Sequence, residues 1–465
     1  MIGFFELKSD NKKSRVFLFV VFGLLLFLPS VWILIHRMEG NNPEILLEFP
    51  SPYIGLATEY SGKVMDPGSG VRKVWVGLIK DGKEHILQDE AFPSLSFFSG
   101  GAVKEAPITL KIDPQKLNIG DGKAVLRIAA WDYSWRNWYN GNQAYLEKEF
   151  IIDTKPPEID MLTKAHNISQ GGAGLVIYRI SEKDSQTGVT VGKNFFPGIS
   201  GYFRDDSIHM AFVALDHLQD LNTQLFVKAT DRAGNISQAG FTYYLKKGNF
   251  RNDKIDIPDR FLNWKMPEFA VTGPNGGPVS GIEKFLVVNQ QLRRENTELF
   301  IRISKKTTPE ILWEGAFLRL PQSATRAKFA DRRSYHYKDK VVDHQYHMGI
   351  DLAATAHSPI PAANNGRVVF TGDNGIYGKT VILDHGFGLF SLYSHLSRIN
   401  VQMNDMMKKG DILGLSGTTG MAGGDHLHYG MMIHNTFVNP LEWWDDVWIN
   451  HNVTSKINDV RDGEK

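Results

Sequence analysis

An uncharged run opens at Val16 and closes at Ile35. Its 20 residues, at about 1.5 Å of rise each, span a hydrocarbon core of about 30 Å, so the run is read as a transmembrane helix. Pro29 inside it is tolerable, because a kinked membrane helix re-satisfies the freed carbonyl locally. No alanine precedes Ala57, so the small-residue cleavage signature of a secretory signal is missing and the anchor is expected to stay. Lys8, Lys12, Lys13 and Arg15 precede the run, whereas Arg37 is followed by Glu39, Glu44 and Glu48. The positive-inside rule then puts residues 1–38 down as a cytoplasmic tail and anchor, with the rest of the chain outside. The expectation is a single-pass protein of the cytoplasmic (inner) membrane, its bulk periplasmic or otherwise extracytoplasmic, with the lipid bilayer as its first partner.

The 465 residues allow roughly three domains at about 150 residues each. Lys plus Arg is 52 against 51 for Asp plus Glu, and no dense basic stripe argues for nucleic acid as a partner. Cysteine is absent, which excludes disulfides, thiolate nucleophiles and thiolate zinc sites; any metal must be held by His, Asp or Glu. With 44 glycines, 20 prolines and 11% aromatics, the chain reads as turn-rich and mainly β.

Two stretches, LRIAAWDYS from 126 and LFVKATDRA from 225, resemble each other at an offset of 99 residues. Each follows alternating strands, and their segments open with NPEI at 42–45 and PPEI at 156–159. The pattern predicts two immunoglobulin-like β-sandwich modules, 40–155 and 156–248, joined by the DTKPP turn at 153–157. Trp131, Tyr133, Trp135, Trp138 and Tyr139 are read first as core and loop packing, with glycan stacking as the weaker reading. Residues 249–320 form a linker: 246–269 is polar, holds Pro258 and Pro267 and predicts little regular structure. A helix follows, with Ser280 and Glu283 as a capping box and an apolar stripe from Ile282 through Phe285, Leu292 and Leu299 to Ile303.

Ten of the 15 histidines fall between His336 and His451, where an even spread would place about four. HMGID at 347–351, YSHLS at 393–397 and DHLHYG at 425–430 stand out. They fit a zinc hydrolase, and since no H-E-x-x-H occurs the metal must sit on strands. In a straight strand His347 and Asp351 would lie about 13 Å apart, so the chain must bend between them, and Gly349 is placed to allow it. His426 and His428, two apart, share one strand face; one can ligate while its neighbour faces the reacting water. His395 ends an apolar strand beside the same cleft. Three protein ligands plus water is the coordination of catalytic zinc, and two further histidines can move protons.

At this point residues 331–444 resemble the lysostaphin-type zinc metalloendopeptidases, peptidoglycan hydrolases of duplicated-hybrid-motif fold. The resemblance is carried by HMGIDLA, NNGRVVFTG at 364–372, YGKTVILDHG at 377–386, LYSHLS, KKGDILGLSGTTG at 408–420, HLHYG and NPLEWW at 439–444. It implies one Zn2+ held by His347, Asp351 and His428, and His395 and His426 as the catalytic pair that orients water and stabilises the tetrahedral intermediate. It also implies peptidoglycan peptides as substrate, cut in stems or cross-links, and an antiparallel β barrel-sandwich peptidase domain over 321–446, ahead of a polar tail at 447–465. Asn404 stands where members often carry a turn glycine, and His357, Asp425, Tyr429 and Gly430 also depart from the family pattern. His344, His357, His385 and His434 read as turn, surface or packing residues. The rival is a non-catalytic wall-binding protein or an activator of another wall hydrolase, which loss of a ligand would favour; none is lost.

Overall fold

The structure is a computed structural model that describes residues 11–273 and 276–463. Lys8 and the last two residues of the tail lie outside the described residues. The apolar run lies in the helix Asn11–Arg37, of which Arg15–Arg37 is long and apolar enough to cross a membrane. Beyond it the described chain is mainly β. It divides into two compact units, residues 1–156 with 231–235, and residues 157–230 with 236–465.

In the first unit a sheet of Glu44–Leu47, Thr58–Met65 and Glu105–Ile112 shares one core with a five-stranded sheet that includes Val71–Lys80, Gly122–Asp132 and Gln143–Ile152. EAPITLKI shows why: Ala106, Ile108, Leu110 and Ile112 are buried while the residues between them are exposed, the period of a strand with one wet face. The aromatic cluster departs from the core reading. Trp131 and Tyr133 are half-buried, but Trp138 is 93% exposed and Tyr139 60%; both lie on the connection between Gly122–Asp132 and Gln143–Ile152.

In the second unit the strands between 157 and 246 and the C-terminal strands bury a single continuous core. Ile208–Ala214 is buried at every position, as expected of a strand covered on both faces. Phe212 lies 5.9 Å from Trp443, the Asn439 N–H donates to the Gly171 carbonyl at 2.8 Å, and the Ala173 N–H donates to Glu442 at 2.8 Å. The C-terminal part is an antiparallel sheet. Its strands run in the order Ala324–Ala327, Ile350–Ala353, Leu427–Ile433, Leu389–Leu396, Lys379–Gly386, Gly366–Asp373 and Met406–Met407, with Thr436–Val438 joined to Leu427–Ile433. A smaller sheet of Pro359–Pro361, Ile412–Leu415 and Arg398–Ile399 accompanies it.

Three expectations are corrected here. The polar segment at 246–269 is ordered: Asn252–Asp256 pairs in parallel with Arg332–Tyr337, and Asp259–Lys265 is a helix. Its prolines sit at helix starts, Pro258 at the N-cap and Pro267 in the first turn of Met266–Glu268. A missing N–H costs nothing in a first turn, so there proline favours a helix. The capping box fails in detail: Ser280 is the N-cap residue but its side chain makes no cap bond, and Gly281 opens the turn at φ 54°. The helix runs on through a π turn at Val288–Leu292 and stops at Ile303, where the stripe ends. Residues 447–465 are no simple polar tail. The described part is helical and buries Ile449, Val453, Ile457 and Val460, whose spacing traces one helix face.

Glu442 ties the two groups of strands in this unit together, and burial pushes its carboxyl from 4.5 up to about 8. A carboxyl whose folded-state value is raised contributes stability that is full below the unfolded value and is lost as pH climbs through the folded one. Glu442→Gln keeps an acceptor for Ala173 without the charge. Its unfolding midpoint relative to wild type should therefore rise steadily as pH goes from 4.5 to about 8, read by denaturant titration at several pH values; a constant difference refutes the argument.

Candidate active site

The pairing of Ile350–Ala353 with Leu427–Ile433 sets Asp351 directly opposite His428, so their side chains leave the sheet side by side. His347 precedes the strand and is brought in by the turn through Gly349, as the spacing required. The reason for the glycine is room rather than backbone freedom. A Cβ there would lie 2.6 Å from the Tyr429 carbonyl oxygen and 2.7 Å from the His428 ring, while its φ is not among the positive ones.

Three side-chain atoms converge as a result. His347 Nε2 is 2.9 Å from Asp351 Oδ1 and 3.0 Å from His428 Nδ1, and His428 Nδ1 is 2.9 Å from the same Oδ1. Ligands about 2.1 Å from a tetrahedral ion lie roughly 3.4 Å from one another, so this spacing is close to one face of a zinc site. The His347 Nδ1–H donates to the Lys328 carbonyl at 3.0 Å, which leaves the lone pair on Nε2. Arg333 donates to the other carboxylate oxygen, Asp351 Oδ2, at 3.1 Å and fixes the carboxylate plane. Burial lowers His347 and takes His428 down to about 4, so both rings are neutral near pH 7. Burial alone would raise Asp351, but the imidazoles of His347, His426 and His428 around it outweigh burial and hold the carboxyl well below its usual range. Two neutral imidazole nitrogens and a carboxylate oxygen within 3 Å of one another are a set of lone pairs that a cation satisfies, and the donors fit zinc.

The other two histidines flank this cluster. His395, near the end of Leu389–Leu396, directs Nδ1–H to the Thr419 carbonyl at 2.8 Å, and its ring lies 5.7 Å from that of His428. It holds φ 63°, a left-handed conformation that is rare for a non-glycine residue and often marks a functional site. His426 directs Nδ1–H to the Gly424 carbonyl at 2.8 Å, and its Nε2 lies 3.5 Å from Asp351 Oδ1. Burial lowers His395 far below its ordinary value; His426 is lowered by burial but raised overall by Asp351. The remaining histidines stay out of the cluster. His385 is buried between the Asn365 carbonyl and Ser391, His357 faces solvent beside Ser397, His344 is exposed and His434 is buried.

These five residues line a cleft of about 720 Å³. The rest of the lining includes segments that the sequence reading left without a role: Pro258, Arg260, Phe261 and Trp264 from the supposed linker, Phe285 and Arg293 from the connecting helix. Arg333 and Tyr335 belong to it as well. The aromatic pair Phe261 and Trp264, spaced three apart after a proline, was the available signal.

Gly349→Ala should cost about 1–3 kcal/mol, the usual penalty for overpacking, and should displace the His428 ring. Urea unfolding checks the first, and the His428 imidazole NMR resonances check the second.

Residues 345–440 match the family model of peptidase family M23. The DD-carboxypeptidase/endopeptidase Mpg of Neisseria meningitidis is 39% identical over 95 residues, 20% of this chain and 22% of the relative. The peptidoglycan DD-endopeptidase ShyA of Vibrio cholerae is 32% identical over 130 residues, 27% of this chain and 30% of the relative. The chain thus spans less than a third of the length of these curated relatives. Among solved structures, the catalytic domain of lysostaphin from Staphylococcus simulans is 26% identical with a TM-score of 0.25, covering 28% of this chain and 98% of that one. All five residues of the cluster lie inside the segment that matches the family model of peptidase family M23.

Proposed function

We propose that the chain is a membrane-anchored zinc metalloendopeptidase that hydrolyses peptide bonds in peptidoglycan stems or cross-links. The observation that carries this reading is the convergence of His347 Nε2, Asp351 Oδ1 and His428 Nδ1 in a cleft, inside a segment matching the M23 family. The similarity to peptidoglycan DD-endopeptidases of Vibrio cholerae supports the substrate class. The cations before Val16 and the acidic residues after Arg37 support an N-terminus in the cytoplasm and a catalytic domain outside it.

His347, Asp351 and His428 would hold the metal. When bound, zinc supplies Lewis acidity that polarises the scissile carbonyl and activates water. Around it the protein's own groups do the positioning. Neutral His395, its Nδ1–H tied to Thr419, presents the Nε2 lone pair, which would accept a hydrogen bond from the attacking water and orient it. His426 presents Nε2 on the side of Asp351 and passes a proton to the leaving amine. Arg333 keeps the Asp351 carboxylate from rotating, and Phe261 and Trp264 offer apolar surface to the substrate in the same cleft.

The direct test is digestion of purified peptidoglycan by the detergent-solubilised full chain, with mass spectrometry of the released fragments; zinc-loaded protein that releases no peptide-cleaved product overturns the reading. His428→Ala should lose most bound zinc and nearly all activity together. His426→Ala and His395→Ala should keep the metal and slow turnover by about 10²–10⁴-fold. Metal content measured beside rate separates the roles, and a zinc-free His426→Ala with a loaded His428→Ala would reverse them. Trp264→Ala should leave the metal in place and lower kcat/KM by roughly tenfold, chiefly through KM, as expected when one aromatic contact worth about 1.4 kcal/mol is removed from binding.

A further inference from the structure

Five large apolar side chains of the first unit stand out into solvent on two neighbouring loops: Leu95, Phe97 and Phe98 on one, Trp138 and Tyr139 on the other, with exposures from 57% to 93%. Trp135 joins them, its ring 5.0 Å from Phe97, 6.3 Å from Phe98 and 6.1 Å from Tyr139. Single exposed apolar residues are ordinary, but an aromatic patch gathered in one place marks a contact surface.

Its position says what it contacts. The Trp135 N–H donates to the carbonyl of Arg37, the last residue of the apolar helix, and the Arg37 guanidinium lies 5.3 Å from the Trp135 ring centre. Arg136 Nε donates to the Met38 carbonyl at 2.9 Å, and Ser134 Oγ to the Glu39 carbonyl at 3.0 Å. Arg37 is two residues beyond Ile35, about 3 Å along the helix axis. The patch is therefore pinned within a turn of the point where the helix leaves the hydrocarbon, the layer in which Trp and Tyr rings are enriched. The loop is also built at a cost. Asn137, Trp138 and Tyr139 take φ of 52°, 55° and 65° in succession, a conformation bulky residues avoid, and the result is a tryptophan held outward rather than packed.

The geometry points to a lipid-facing surface: loops 95–98 and 135–139 enter the headgroup layer of the leaflet from which the helix emerges, and hold the first unit against the bilayer. The inference rests on the reading of Arg15–Arg37 as membrane-spanning. Its occupant is the same bilayer that holds the helix, reached without any second binding partner.

Because the chain has no cysteine, single labels can be placed in the full-length protein. Trp138→Cys and Leu95→Cys, each carrying the fluorophore NBD, are reconstituted into phosphatidylcholine–phosphatidylglycerol vesicles beside two references, Leu25→Cys in the middle of the apolar run and Ile86→Cys on an exposed strand. The loop labels should shift to the blue and be quenched severalfold more strongly by lipid carrying a nitroxide near the headgroup than by lipid carrying it near the chain end. The Leu25 label should show the opposite preference, and the Ile86 label neither response. If Leu25 is quenched from the chain end while both loop labels behave like Ile86, the anchor stands and the lipid-facing surface is refuted. If Leu25 itself reports water, the anchor reading fails and takes the surface with it. Loop labels that ignore lipid but shift to the blue when peptidoglycan fragments are added in detergent reassign the patch to glycan and also overturn the proposal.

Discussion

The site depends on one strand register. Asp351 faces His428 because Ile350–Ala353 pairs antiparallel with Leu427–Ile433 at that offset and no other. A slip by one residue would turn both side chains to opposite faces and dissolve the cluster. Several local features protect the register. Gly349 leaves the gap into which His428 fits, the Lys328 carbonyl holds the His347 ring, and Arg333 holds the free oxygen of Asp351. The cost of gathering three unprotonated groups is the repulsion of their lone pairs. Without a cation, the strands and these outer contacts must bear it.

What was legible in the sequence follows the range of the interactions. HMGID and HLH each put their chemistry within five residues, so the spacing of His347, Asp351, His426 and His428 carried the bend and the shared face directly. Asn404, standing where a turn glycine is usual, takes φ 73°, a position that Asn tolerates. The rest of the cleft lining was not legible. Part of it is brought in where Asn252–Asp256 pairs with Arg332–Tyr337, some 80 positions later, and no local pattern announces a parallel partner at that distance. Composition misled at the same place, since a proline at a helix start and a proline in a loop look alike in sequence. Trp138 and Tyr139 failed for a related reason: tryptophan and tyrosine favour burial, but the backbone at 137–139 turns them outward.

The floor of the cleft is stiff for reasons that lie behind it. Leu427–Ile433 carries His428 and is buried at every position. One face serves the cluster, and Ile208–Ala214, with Phe212 against Trp443, contributes to the core into which it packs. Strands that read as a separate sandwich module thus share the core that backs the sheet carrying the cluster. Precision of a fraction of an ångström among ligand atoms requires such backing, because a ligand strand with one wet face would breathe more freely.

The parallel pairing of Asn252–Asp256 has one more effect. In the three-stranded sheet where it lies, Arg332–Tyr337 is the central strand, covered on one side by Lys340–Tyr346 and on the other by this short segment. A fragment begun after it, at the boundary the sequence motifs suggest, would leave the N–H and C=O groups of Arg332–Tyr337 along an open edge. Such an edge recruits the same edge of another copy. The segment that looked like spare linker therefore also covers the edge of Arg332–Tyr337 that such a fragment would expose.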